Sequence, residues 1–161
     1  MDVTLRNTLW SFSSGILLAG YDKVNAEYQL SESQGAPFAM CAMATTRSFV
    51  KWQTKRHVPT GSVIFEDGDN GRGDFIERFR SVTGRNPSMA RKGEFSALEA
   101  ADMLAYEHAK LVRDVASGRT KRVENIRVPL RRFEQDQRTS WVYHNELSLW
   151  ALVKEAAIPP R

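Results

Sequence analysis

Residues 62–71 read Ser-Val-Ile-Phe-Glu-Asp-Gly-Asp-Asn-Gly, and this stretch decides the fold class. Its β-branched and aromatic start predicts a short buried strand. The Asp, Gly and Asn residues that follow predict a sharp turn. Because helical periodicity lies on both sides of the stretch, strands and helices alternate along the chain. This alternation is typical of a layered α/β fold.

Upstream, a strand and a helix are predicted before this stretch. Alternating residues from Trp10 to Leu18 predict the strand. From Phe38 to about Arg56, apolar residues recur at intervals of three and four, which predicts an amphipathic helix. Its apolar stripe includes Cys41, and its polar face carries Arg47, Lys51 and Lys55.

Downstream, three further helices are predicted. The first contains Phe75 and Val82 and ends at Gly84, and a loop over residues 85–95 follows it. Ser96 and Glu99 form a capping-box pattern at the start of a long helix that reaches about Ala116. Residues 117–140 are polar and basic, and the last helix is predicted over residues 145–157, before two prolines.

Composition limits the class of protein. The chain has 161 residues, of which 42% are hydrophobic and 26% charged, values close to the globular average. One cysteine, Cys41, excludes an internal disulfide and a Cys-rich zinc site and suits a reducing compartment. The longest apolar run near the N-terminus is too short for a signal peptide or a membrane span. We therefore expect a cytoplasmic protein with no membrane partner.

Three acidic residues, Glu66, Asp67 and Asp69, lie at or just after the end of the predicted strand. Ligands commonly bind at this edge of α/β sheets. Crowded carboxylates repel one another, and a Mg²⁺ or Mn²⁺ ion relieves that repulsion. The sequence therefore predicts a divalent-metal site with these three residues as ligands. The structural alternative is a solvated turn in which Asp69 or Asn70 caps the next helix.

Asp102 is a fourth candidate ligand, because the helical pattern places it at the edge of the buried stripe. A carboxylate there requires a cation, a hydrogen-bond donor or a metal. A structural salt bridge is the alternative, and Arg72 or Arg91 could satisfy the acidic groups. Glu99 is expected to serve the capping box, and Glu107 to face solvent.

Basic residues are concentrated near the C-terminus. Between Arg113 and Arg138 there are eight Lys or Arg residues and four Asp or Glu residues, whereas the whole chain carries +4. Cations of this kind hold phosphodiester backbones, although a solvated linker has the same composition. The candidate nucleic-acid contacts are Arg119, Lys121, Arg122, Arg127, Arg131 and Arg132.

Several common sites are excluded by spacing. His57, His108 and His144 show no metal-ligand or catalytic pattern, so they are interpreted as ordinary histidines. Two positions of a calcium-binding loop beginning at Glu66 are wrong for an EF-hand. The sequence also lacks the Walker A, GxGxxG and GxSxG motifs.

The order of motifs resembles a known family. The motifs are Tyr21-Asp22 with Asn25, Ala36-Pro37-Phe38, Phe65-Glu-Asp-Gly-Asp69, and Leu98-Glu-Ala-Ala-Asp-Met-Leu-Ala-Tyr-Glu107. Together they resemble the bacterial and phage domain-of-unknown-function family numbered 3800, over about Trp10 to Val115. The family is thought to have a ribonuclease-H-like fold, which for this chain implies helices packed on a small mixed sheet.

The resemblance implies a chemistry and a role for particular residues. Glu66 or Asp67 would be the central-strand ligand and Asp102 the helix ligand, so these three would be catalytic. The implied reaction is phosphodiester hydrolysis with two Mg²⁺ or Mn²⁺ ions about 4 Å apart. The chain would be a metal-dependent nuclease, and the alternative is a non-catalytic remnant that binds nucleic acid or protein.

This chain departs from the family at its start. The family usually begins with an Asp-Glu-Ser-Gly strand whose aspartate is the first ligand, and this chain lacks it; Asp2 is a distant substitute. We therefore expect an incomplete ribonuclease-H-like domain over residues 1–116, with an exposed sheet edge. A second chain or self-association could cover that edge. Residues 117–161 would form a basic extension with a terminal helix.

Overall fold

The computed structural model describes residues 10–59, 61–67, 72–119 and 139–161. Within these ranges the chain is a mixed α/β protein in which helix predominates. The strands are β1 (Ser11–Ile16), β2 (Ile64–Glu66), β3 (Ser88–Ala90) and β4 (Thr139–His144). The helices are α1 (Leu18–Glu27), α2 (Leu30–Gln34), α3 (Pro37–Arg56), α4 (Arg72–Thr83), α5 (Ser96–Ala116) and α6 (Glu146–Glu155).

The described strands form two small sheets. β1 pairs with β4, and β2 pairs with β3. β2 and β3 are parallel, with Phe65 opposite Met89 and Glu66 opposite Ala90. Parallel strands require a crossover connection, and here the crossover contains α4.

The chain divides into two compact units. Among the described residues, the first unit holds 10–13, 92–119 and 139–141, and the second holds 14–91 and 142–161 with gaps at 60 and 68–71. Each unit is therefore built from stretches that are distant in sequence. The predicted division near residue 116 stays a prediction.

The second unit has two apolar clusters. One joins α1, α3 and α6 through fully buried residues such as Val24 and Leu149. The other joins α3 to α4, with Phe75 and Phe79 completely buried. Phe65 of β2 packs on both rings of α4, at centroid distances of 4.4 Å from Phe75 and 5.9 Å from Phe79. These aromatic contacts fix β2 against α4.

The first unit contains α5 and a polar contact to β1. Leu104, Glu107 and His108 are buried on α5. The His108 Nδ1 lies 3.0 Å from the Ser13 hydroxyl, and the imidazole stacks on Trp141 at a centroid distance of 5.9 Å. The expectation that Glu107 faces solvent is wrong, because it is only 8% exposed.

Most predicted elements are confirmed, with differences at their ends. The helices predicted from Phe38, before Gly84 and after Ser96 correspond to α3, α4 and α5. The N-terminal strand ends at Ile16, and its predicted last residue, Leu18, begins α1 instead. Strand β3 lies in the stretch predicted to be a loop, and β4 lies at the end of the polar and basic stretch and just after it, where no element was predicted.

The capping-box prediction is wrong. The N-cap of α5 is Phe95, which makes no side-chain capping bond, and Ser96 is already helical. No helix in the described part of the chain is long and apolar enough to cross a bilayer.

Candidate metal site at the end of strand β2

Glu66 and Asp67 lie at the carboxyl end of β2, where the anchored Phe65 positions them. Glu66 is the last strand residue and is half-buried. The backbone N–H of Asp67 donates to the Ala90 carbonyl of the parallel neighbour at 2.7 Å. The two carboxylates therefore sit at a sheet edge of the kind at which α/β proteins bind ligands.

The Asp67 carboxylate already has a partner. Its Oδ1 lies 2.8 Å from Nη1 of Arg72, the first residue of α4, and the two side chains are 32% and 49% exposed. This ion pair matches the structural alternative in which Arg72 satisfies the acidic loop. In the described residues no hydrogen bond or ion pair reaches the Glu66 carboxylate. Asp69 lies outside the described residues.

Asp102 differs from the expectation. Its side chain is 65% exposed, so the prediction that it lies at the edge of the buried stripe is wrong. The buried face of α5 is formed instead around Leu104, Glu107 and His108. Lys92 approaches Asp102 with 3.9 Å between Nζ and Oδ2, a distance at which a solvent-exposed pair contributes little stability. Asp102 belongs to the first unit, whereas Glu66 and Asp67 belong to the second.

Two carboxylates, those of Glu66 and Asp67, are what the end of β2 offers a hard cation. Within the described ranges, no three His, Cys, Asp or Glu side chains come together as metal ligands. Mg²⁺, however, is often held by one or two carboxylates, with waters and substrate phosphates completing the coordination. Glu66 and Asp67 can supply those carboxylates, provided that the ion competes with Arg72 for Asp67.

The candidate nucleic-acid contacts are almost all outside the described residues. Arg119 is exposed just after α5. The remaining five, Lys121, Arg122, Arg127, Arg131 and Arg132, fall within the undescribed residues 120–138.

Two histidines that the sequence marked as ordinary are withdrawn from solvent, since His108 is buried and His144 is half-buried. Burial lowers the pKa of the His108 imidazole, an effect that a backbone hydrogen bond to Leu104 partly offsets. Burial also lowers the pKa of His144. Both imidazoles are therefore neutral at pH 7. No spacing signal in the sequence could have indicated the contact between Ser13 and His108, which are 95 positions apart.

Two arginines of the second unit, Arg47 and Arg78, line a cavity that sequence reasoning missed. The sequence placed Arg47 on the polar face of its helix, which is correct, since it is exposed. The i to i+4 spacing of Asp74 and Arg78 is a signal for their ion pair, whose Nε to Oδ1 distance is 2.6 Å.

Comparisons with known proteins give no identification. No family model matches the chain, and no curated protein or solved structure matches it.

Proposed function

We propose that this chain is a divalent-cation-dependent phosphodiester hydrolase domain of ribonuclease-H-like type. The observation that carries the proposal is the position of Glu66 and Asp67 at the carboxyl end of β2, beside the parallel strand β3. The local excess of basic residues between Arg113 and Arg138 supports a phosphodiester substrate. The order of strand, acidic turn and helix supports the ribonuclease-H-like assignment.

Glu66 and Asp67 would hold Mg²⁺ or Mn²⁺. Such an ion, when bound, supplies Lewis-acid activation of water and of the phosphoryl oxygen. The roles of this chain's own residues follow from the described contacts. Phe65 fixes the strand end through α4, and Arg72 holds the Asp67 carboxylate in place while no cation competes. The catalytic role of Asp102 rests on the family resemblance.

Cleavage assays test this proposal. Labelled DNA, RNA and hybrid substrates would be incubated with Mg²⁺, Mn²⁺ or EDTA. Metal-dependent cleavage is expected to fall roughly 100-fold or more in Asp67→Asn and Glu66→Gln, since even changes to the groups that support a metal's ligands cost about 10–100-fold. Glu77→Gln is the matched control, because Glu77 is an exposed carboxylate on α4. Equal loss in the control, or cleavage that persists in EDTA, would contradict the proposal.

A non-catalytic nucleic-acid-binding module is the second candidate. The ion pair between Asp67 and Arg72 favours it, because a protein cation already occupies the position of a metal. Its expected signature is binding without cleavage that EDTA does not change. The logarithm of the binding constant should fall linearly with the logarithm of the salt concentration. Removing the charge of Arg119, Lys121 or Arg122 would lower that salt slope by about one for each phosphate group that the variant no longer neutralises.

A further inference from the structure

A cavity of about 150 Å³ lies in the second unit, where α2, α3, α4 and α6 approach the end of β4. All the residues that line it belong to this unit. Its walls combine two arginines with the apolar side chains of Met40, Met43 and Leu152. None of the lining residues within the described part of the chain is acidic.

The two arginines differ in whether a neighbouring carboxylate balances their charge. Arg78 donates from Nε to Asp74 and from its two terminal nitrogens to the carbonyls of Ser33 and Glu32, at 2.6–2.9 Å. Its charge is therefore balanced by Asp74, and its donors hold the end of α2. Arg47 is exposed, and in the described residues no acceptor or carboxylate contacts its guanidinium.

The cavity therefore has an excess of one positive charge, located on Arg47. His144 adds none, because burial lowers the pKa of its imidazole and leaves it neutral. A guanidinium presents parallel N–H groups that match a carboxylate bidentately. A single unbalanced cation suits a monoanion.

The size and the apolar wall limit the rest of the ligand. A cavity of about 150 Å³ accommodates a molecule the size of benzene. Met40 and Met43, whose flexible thioether side chains adapt to the shape of a ligand, line this space. Apolar lining with a few polar groups is the usual composition of a small-molecule site.

We propose that this cavity binds a small organic monoanion, a carboxylate carried on an apolar body of about benzene size, with Arg47 contacting the carboxylate. The site is independent of the proposed metal site and of any hydrolase activity. Because Arg47 is exposed and Arg78 keeps its own partners, substitutions at Arg47 leave the fold intact.

Benzoate is the probe, and benzamide is its uncharged counterpart. Titrations of the full chain would be followed by amide chemical shifts in two-dimensional NMR. Benzoate is expected to bind with a Kd on the order of 1 mM, as suits so few atoms. The largest shifts are expected at Ala44, Ser81 and Val82, which line the cavity. Benzamide is expected to bind at least about tenfold more weakly.

Three kinds of variant distinguish the contribution of the Arg47 charge to benzoate binding from that of the cavity space. Arg47→Gln is expected to weaken benzoate binding about tenfold and Arg47→Lys less, because lysine keeps the charge but not the fork. Ala44→Leu is expected to block binding by filling the space while Arg47 is present. Lys51→Gln removes the same charge one turn further along α3, from a residue that does not line the cavity, and is expected to change little.

Three outcomes of the titrations, and a fourth from the location of the shifts, would overturn the proposal. The first three are non-saturable shifts with benzoate, equal binding of benzamide, and equal weakening by Lys51→Gln and Arg47→Gln. Saturable changes in amide chemical shift at residues away from the cavity would overturn it as well.

Discussion

Gly35 shows how a single residue fixes the packing of the second unit. It lies between α2 and α3 with a φ of +91°, a conformation that glycine adopts readily. A Cβ atom there would lie 2.6 Å from Oδ2 of Asp74 and 3.0 Å from Nε of Arg78. The Gly35 carbonyl also accepts a hydrogen bond from the buried Tyr21 hydroxyl at 2.9 Å.

Gly35→Ala is therefore expected to lower the free energy of unfolding by about 3 kcal/mol or more, from backbone strain and crowding together. Gly84→Ala is the control, because Gly84 also has a positive φ but nothing lies within 4 Å of the position that an added Cβ would take. Strain alone should cost about 1 kcal/mol there. Urea unfolding measures both, and equal losses would show that crowding at Gly35 is unimportant.

The buried His108 and the half-buried His144 predict a pH dependence of stability. Burial lowers the pKa of His108 and His144 in the folded chain. Below their ordinary pKa of about 6.5, the unfolded chain binds protons that the folded chain does not. Their contribution to stability is therefore complete above that pH and is lost as the pH falls through the folded values.

Urea unfolding between about pH 8 and pH 5 tests this dependence. The free energy of unfolding should fall toward pH 5 in the wild type, and less steeply in the double variant His108→Gln/His144→Gln. A double variant with the wild-type slope would refute the assignment.

At the scale of elements, local sequence predicted the helices better than their caps. α6 is capped by Asn145, whose Oδ1 accepts the Ser148 N–H at 2.9 Å. Asn145→Ala should cost about 1 kcal/mol of stability. Ser96→Ala should cost almost nothing, because Ser96 is exposed and is not the N-cap of α5. Thermal unfolding distinguishes the two, and a larger loss at Ser96 would restore the capping-box interpretation.

Strand β3 and helix α1 show why some elements could not be predicted from the sequence. β3 contains only Ser88, Met89 and Ala90, too short for a periodic pattern, and it is defined by pairing with β2.

Helix α1 was missed because Gly20 lies in its first turn, where glycine weakens a helical prediction. Gly20 leaves room for a tertiary contact, since a Cβ would lie 3.1 Å from the Glu146 backbone nitrogen. Pairings between distant segments leave no local signal.

The candidate site was predictable only in part. The turn chemistry placed Glu66 and Asp67 at a strand end, as the structure has them. The sequence left open whether Arg72 or Arg91 satisfies the acidic groups, and in the structure Arg72 pairs with Asp67. The prediction that Asp102 lies at the edge of the buried stripe was wrong because the buried face is centred on Leu104 and His108. Residues two apart lie about 160° apart around a helix, so Asp102 faces away from Leu104.

At the scale of the whole molecule, the open sheet edge predicted from the sequence has a testable consequence. The described strands form two-stranded sheets, which are marginal without further cover. If a second copy covers the edge, sedimentation velocity should show a concentration-dependent dimer. A monomer at all concentrations would contradict self-association.

Arg72 offers a direct test of the metal site, because it competes with a cation for Asp67. Removing its charge by Arg72→Gln should strengthen metal binding, whereas Asp67→Asn should abolish it. Arg80→Gln is the matched control, since Arg80 lies on the same helix and bonds to Asn86 instead.

The most direct measurement is thermal unfolding of the wild type and these variants in a Mn²⁺ titration. Binding to the folded state at about a hundredfold above Kd adds about 2.7 kcal/mol, several degrees for a domain of this size. We expect such a rise in the wild type, a rise at lower Mn²⁺ in Arg72→Gln, and none in Asp67→Asn. If the wild type and Arg72→Gln both fold well and neither shows a Mn²⁺-dependent rise in unfolding temperature, there is no metal site at the end of β2.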